Sequence, residues 1–197
     1  MKDAKSFVAK YVIDQLALQS HTLSVVDEQL KDADVIGLPI VFTTLSKISE
    51  ILHIDVAELR KLSDSESEKA NLLISAAVTE TLTGVTGAVV GLYNKLRTEK
   101  VSKMLRDDYT ALSLATLTYS MLFTTARGLG EEKTAEVASR HLRRIPPLVM
   151  ELNYIIPGVV VSELEKLGFS VDKKVEFEAT SDSKEAWSQH QEHRWSV

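Results

Sequence analysis

The segment of residues 101–128 constrains the fold more than any other part of the sequence. Apolar and aromatic side chains recur along it at steps of three and four residues, which is the spacing of one face of an α-helix. This stripe consists of Leu105, Tyr109, Leu112, Thr116, Tyr119, Phe123 and Ala126. A second stripe beside it consists of Leu114, Leu117, Met121 and Leu122. Because a helix that is apolar on most sides must be surrounded by other elements, the sequence predicts a central helix here.

The same periodicity predicts further helices on either side of this segment. They cover residues 4–32, 39–53 and about 67–97, and a last helical region begins at Glu131, just after the helix-ending Gly128-Leu129-Gly130. The chain has only 8 Gly and 4 Pro, which is unfavourable for a β-rich fold with many tight turns. We therefore expect an all-α fold.

Two features predict interruptions of these helices. Asp55 is typical of the start of a new helical piece, because Glu58 follows three residues later and completes a capping box. Pro146-Pro147 is expected to kink or split the last helical region, and Pro157-Gly158 to interrupt it again, since proline lacks the backbone donor.

The composition of the chain changes near residue 170. Residues 1–169 are predicted to form one helical-bundle domain, and residues 170–197 a polar, flexible tail that is rich in charges and poor in aliphatic side chains. The two tryptophans of the chain, Trp187 and Trp195, both lie in this tail. They are the candidates for binding a partner or a second subunit.

Charge and cysteine content exclude several classes of protein. The chain has no Cys, which removes disulfides, thiolate metal sites and a cysteine nucleophile. A formal net charge of −5 argues against nucleic acid as a partner. The N-terminus has no apolar segment of secretory type, so we expect a cytoplasmic protein. The uncharged run 109–126 is rich in Ser and Thr, which favours a helix buried in protein, and no membrane association is expected.

Two segments resemble uncharacterised bacterial ferritin-like helical proteins. They are Leu105–Leu112, which matches the opening of one bundle helix, and Leu148–Asn153, which matches part of the next; the resemblance covers mainly residues 100–168. It implies a ferritin-like four-helix bundle, here with one additional helix. The metal-binding members of that family take up iron or act under oxidative stress.

A metal site of that family would use pairs of Glu and His three residues apart on a helix. Only Glu50 and His53 have this spacing here, and folding the first two helices together places His21 near them. These three residues are the weak candidates for a site of iron or manganese. The alternative, an exposed pair near a helix end with no cofactor, is favoured because the set of ligands is incomplete.

Other polar residues lie in apolar surroundings. Glu151 is flanked by apolar residues, and a hairpin centred near Gly130 places it level with Asp108 and Tyr109, so that these three are candidates for a buried polar group. A basic cluster, Arg140-His141-Leu142-Arg143-Arg144, is predicted either to bind an anion or to form a solvated face balanced by nearby acids.

These features predict a non-catalytic cytoplasmic protein of ferritin-like type that lacks a complete di-metal site. It would act through self-association or a protein partner, with a link to stress response. A di-iron or single-metal protein using Glu50 and His53 is the alternative. Gly84, Gly87 and Gly91 are expected to face another helix backbone, and an apolar ligand between that helix and residues 101–128 is a third possibility.

Overall fold

A computed structural model describes residues 3–64 and 101–192. Side chains are described for residues 3–63 and 101–188. Every element in these ranges is a helix, which confirms the all-α fold. The helices are α1 (Ala4–Gln29), α2 (Ala33–Ile36), α3 (Pro39–Asp64), α4 (Val101–Gly128), α5 (Glu132–Lys166) and α6 (Lys174–Glu192). The helix expected over 67–97, with Gly84, Gly87 and Gly91, lies outside the described residues, as does Trp195.

The four long helices α1, α3, α4 and α5 enclose the core. α1 contacts α3 and α4, and α5 contacts the same two helices, with the most extensive contact between α4 and α5. The connection from α4 to α5 turns at Gly130, whose φ of 78° lies in the left-handed region that favours glycine. This hairpin brings the middle of α4 next to the middle of α5.

Each of these four helices has a stripe of buried residues at alternating steps of four and three, with one step of seven at the end of α5, and we call this its core stripe. On α1 it is Val8, Val12, Gln15, Gln19, Thr22, Val26 and Gln29, and on α3 it is Val41, Leu45, Ile48, Leu52, Asp55, Leu59 and Leu62. On α4 it is Val101, Leu105, Asp108, Leu112, Ala115, Tyr119, Leu122 and Ala126, and on α5 it is Thr134, Ala138, His141, Ile145, Leu148, Leu152 and Val159. Every stripe therefore contains at least one polar residue among the apolar ones.

The burial of the aromatic residues of α4 depends on their position relative to its core stripe. Leu112 and Tyr119 are fully buried, as the periodicity predicts. Phe123 is also predicted to be buried, but it is only partly buried. The stripe passes through Leu122 and Ala126, so Phe123 lies at its edge.

The predicted interruptions are absent from the described helices. α3 continues through Asp55, and α5 continues through Pro146, Pro147 and Pro157, so the prediction of a split at these positions is wrong. A proline removes one backbone hydrogen bond locally, whereas apolar residues on both sides of these prolines remain packed in the core. Packing along the whole length of α5 keeps it in one piece.

The segment predicted to be a flexible tail contains α6, which packs against α5. The Asn153 side-chain amide donates a hydrogen bond to the Ser183 hydroxyl over 2.5 Å. The Lys184 ammonium lies 4.7 Å from the centre of the Tyr154 ring. Trp187 points largely outward, with 47% of its surface exposed.

Within the described ranges, α5 is the one helix that is long and apolar enough to cross a membrane by length and composition. Core helices of soluble proteins meet the same criterion, and a third of the apolar stretch of α5 is buried against the other helices.

Candidate metal centre

His141 of α5 is fully buried and links α5 to two other helices. Its Nδ1 atom lies 2.9 Å from the Tyr119 hydroxyl of α4, and its Nε2 atom lies 2.6 Å from Oε2 of Glu58 on α3. The rings of His141 and Tyr119 meet edge to face at 90°, with centroids 5.1 Å apart. Both ring nitrogens are therefore engaged, which fixes the orientation of the imidazole.

Asp55 completes the cluster from α3, one helical turn before Glu58. It is fully buried, and its Oδ1 atom lies 3.4 Å from Nε2 of His141. The Arg144 guanidinium donates a hydrogen bond to the same oxygen over 2.8 Å. The second carboxylate oxygen, Oδ2, is buried and has no hydrogen-bond partner among the described residues.

Two short-range spacings create this arrangement. Asp55 and Glu58 are three residues apart on α3, and His141 and Arg144 are three residues apart on α5, so each pair shares one face of its helix. Where the two helices pack together, the acidic pair of α3 meets the basic pair of α5. Arg140, one residue before His141, adds a contact of 3.3 Å to Glu58 at the surface.

Burial and charge have opposing effects on the titration of this cluster. Desolvation raises the pKa of Asp55, although the nearby His141 and Arg144 oppose the rise. Desolvation also acts to raise the pKa of Glu58, but the hydrogen bond and charge of His141, with Arg140, outweigh it and the pKa is lowered. Desolvation lowers the pKa of His141. At neutral pH the cluster therefore favours an ionised Glu58 beside a neutral imidazole, and the charge of His141 acts on Glu58 only at lower pH, where the ring is protonated.

These protonation states determine the direction of the hydrogen bonds. An ionised carboxylate can only accept, so Nε2–H of His141 donates to Glu58. Nδ1 of the neutral ring is then an acceptor, and the Tyr119 hydroxyl donates to it. If a metal ion bound Nε2, the ring would carry its proton on Nδ1. Nδ1–H would then donate a hydrogen bond to the Tyr119 oxygen, since a hydroxyl can either donate or accept.

Asp55, Glu58 and His141 lie close enough to bind one metal ion. Each contributes a ligand atom, and these atoms all lie within 4.8 Å of one another. One imidazole nitrogen with two carboxylates is a donor set suited to divalent iron, manganese or zinc. A histidine held through its other nitrogen is the usual arrangement at such sites.

The residues singled out from the sequence as metal ligands lie elsewhere. Glu50 is exposed, and His53 is largely exposed, with its Nε2 atom 3.3 Å from a carboxylate oxygen of Asp27. His21 is partly buried on α1, and this burial lowers its pKa. His53 precedes Asp55 by two residues, and residues two apart on a helix do not share a face, so His53 points away from the centre.

The three residues predicted as a buried polar group differ in exposure and in their partners. Glu151 is partly exposed and accepts a hydrogen bond from Lys47 over 2.6 Å. Asp108 is buried and accepts one from the Gln29 side-chain amide over 3.1 Å. Desolvation raises the pKa of Asp108 to about 7. Tyr109 is partly buried beside the core.

The sequence carries a signal for this centre that differs from the Glu-x-x-His spacing. Asp55 interrupts the apolar core stripe between Leu52 and Leu59, and His141 interrupts it between Ala138 and Ile145. In the sequence Asp55 resembles the start of a helix, and His141 belongs to a basic cluster, so neither residue is an evident metal ligand. A polar residue at an otherwise apolar core position on each of several helices is the pattern that points to an interior site.

Comparisons with protein-family models, with curated proteins and with solved structures gave no match to this chain.

Proposed function

We propose that this protein is a non-catalytic helical protein that binds a single divalent transition-metal ion in its core. The observation that carries this proposal is the convergence of Asp55, Glu58 and His141 from two helices onto one point of the interior. The ferritin-like architecture, the cytoplasmic location and the link to stress response, which the sequence suggested, belong to the same proposal. The centre differs from the one expected at Glu50 and His53, and it holds one ion rather than two.

The burial of Asp55 supports a metal over a purely structural ion-pair cluster. A carboxylate that is removed from water requires compensation, and one oxygen of Asp55 has no partner in the described part of the chain. A cation bound by both carboxylate oxygens of Asp55 would supply the interaction that Oδ2 lacks and would share Oδ1 with Arg144. The Tyr119 hydroxyl also supports the proposal, because it holds His141 through Nδ1 and leaves Nε2 directed at the two carboxylates.

The experiment is a metal titration of the protein after removal of metals with a chelator. We expect about one Zn²⁺ or Co²⁺ per chain, measured by competition with a coloured chelator and, for Co²⁺, by visible absorption. Asp55→Asn and Glu58→Gln keep the shape of the side chains and remove the charge, and each should weaken binding at least about tenfold.

The residues suggested by the sequence provide the control. The double variant Glu50→Gln, His53→Asn changes an exposed Glu and His of the same helix and should bind metal like the wild type. Absence of stoichiometric binding in the wild type, or equal loss of binding in the control variant, would overturn the proposal.

A second function is favoured by the surface of α6, namely self-association or binding of a protein partner. Val175, Phe177 and Trp187 are large apolar residues on this helix, and Phe177 is 76% exposed. Sedimentation of the wild type and of Phe177→Ser tests self-association. A species larger than the monomer that the substitution makes less abundant supports it. A monomer in both proteins, with no blue shift of tryptophan emission at high concentration, contradicts it.

A further inference from the structure

We propose that Arg144 controls metal entry, because its guanidinium and the metal ion are alternative counter-ions for Asp55 and Glu58. This inference rests on the proposed function and adds to it the residue that sets the affinity of the site. In the metal-free protein Arg144 occupies the acidic pair, and it swings toward solvent when an ion binds.

The contacts of Arg144 support this competition. Its Nη1 atom lies 2.8 Å from Oδ1 of Asp55 and 3.8 Å from Oε2 of Glu58. These are the same two oxygens that approach Nε2 of His141, at 3.4 Å and 2.6 Å respectively. A cation bound to the three ligand atoms would therefore lie next to a guanidinium that already uses two of them.

The charges of the cluster lead to the same conclusion. The two carboxylates are matched by two guanidinium groups, that of Arg144 and that of Arg140, which lies 3.3 Å from Glu58. A divalent ion added to this set would leave an excess of positive charge beside the buried Asp55, where repulsion between the ion and the Arg144 guanidinium is strong; Arg140, which is 47% exposed, is screened by water. When the Arg144 guanidinium turns away from the carboxylates, part of that excess positive charge is removed.

Burial identifies Arg144 as the group that can move. The side chains of Asp55 and His141 are 0% exposed, whereas that of Arg144 is 31% exposed at the edge of the cluster. A long arginine side chain can turn toward water by rotation about its own bonds, with its helix unmoved. Asp55 has no comparable freedom inside the core.

The test compares Arg144→Gln with a matched control on the same helix. Arg143 is the preceding residue, is exposed, and forms no ion pair with either carboxylate in the described structure. We expect Arg144→Gln to bind Zn²⁺ at least about tenfold more tightly than the wild type, and Arg143→Gln to bind like the wild type. Arg144→Lys, which retains the positive charge, should remain close to the wild-type affinity.

A second measurement uses the wild-type protein and does not depend on a variant that folds. In protein labelled with ¹⁵N-arginine, the guanidinium Nη signals of Arg144 should change on addition of Zn²⁺ from those of a hydrogen-bonded group to those of a solvated one. The signal of Arg143 should stay in place.

The outcomes separate this inference from the proposed function. If the wild type binds Zn²⁺ and Arg144→Gln binds equally or more weakly, with an unchanged Arg144 signal in the wild type, Arg144 does not compete and the inference is overturned. If neither the wild type nor Arg144→Gln binds Zn²⁺, the metal centre itself is overturned and the inference falls with it.

Discussion

The Tyr119 hydroxyl lies 2.9 Å from Nδ1 of His141, and both side chains are completely removed from solvent. The two residues are 22 positions apart in the chain, on opposite arms of the α4–α5 hairpin. Their contact fixes the imidazole so that its other nitrogen faces α3. The orientation of the candidate ligand is therefore decided by a helix that contributes no ligand itself.

The first prediction follows from this contact. Tyr119→Phe removes the partner of Nδ1 and leaves a buried nitrogen unsatisfied, so it should destabilise the fold by about 1–3 kcal/mol. It should also weaken Zn²⁺ binding by about 10- to 100-fold, because the imidazole loses its support. Urea denaturation and metal titration measure the two effects. Tyr109→Phe, a partly buried tyrosine on the same helix, is the control, and equal effects of both substitutions would contradict the prediction.

The second prediction concerns the pH dependence of stability at Asp108. Burial raises the pKa of this carboxyl from an ordinary 3.8 to about 7, so the folded state holds its proton more tightly than the unfolded state does. The stabilising contribution is complete below about pH 3.8, decreases as the pH rises toward 7, and is lost above that value. Between these two pH values the contribution of Asp108 to the free energy of unfolding should fall by about 1.4 kcal/mol per pH unit.

Asp108→Asn isolates that contribution. The amide has no proton to lose and can still bond to Gln29, so the variant should be more stable than the wild type at pH 8, and the difference should disappear toward pH 4. Urea denaturation at several pH values measures it, with Asp182→Asn, at an exposed position on α6, as the control. A wild type and an Asp108→Asn variant with parallel pH profiles would show that Asp108 titrates normally.

A third prediction distinguishes the two sides of α4. Leu112 is fully buried, and Leu112→Ala should cost about 2–5 kcal/mol of unfolding free energy. Leu117 lies on the same helix but is 60% exposed, and Leu117→Ala should change stability by less than about 0.5 kcal/mol. Chemical denaturation of both variants checks the orientation of the helix. Similar losses for the two would mean that α4 is covered on both sides.

The fourth prediction concerns the ion pair between Lys47 and Glu151. Both side chains are substantially exposed, at 51% and 34%, so their interaction is screened by water. Glu151→Gln should therefore alter the free energy of unfolding by less than about 1 kcal/mol. A loss of several kcal/mol in denaturation would instead support the interpretation of Glu151 as a buried acid.

Much of the local structure of this protein could be predicted from its sequence. Apolar steps of three and four residues locate α1, α4 and the first part of α3, because the geometry of a single helix determines which residues share a face. The end of α4 at Gly128-Leu129-Gly130 was likewise visible, since Gly130 adopts a backbone conformation that other residues rarely take. The continuity of α5 through three prolines could not be predicted from the sequence, because packing against other helices compensates for the lost hydrogen bonds.

The candidate centre was decided by tertiary structure. Asp55 and Glu58 lie more than 80 residues from His141 in sequence, and nothing local determines which turn of α3 meets which turn of α5. That register depends on how the apolar side chains of both core stripes fit together along their whole length, which is a property of the packed helices and not of either one. The sequence by itself determined which residues could face the core, and the packing of the helices determined which of those residues meet.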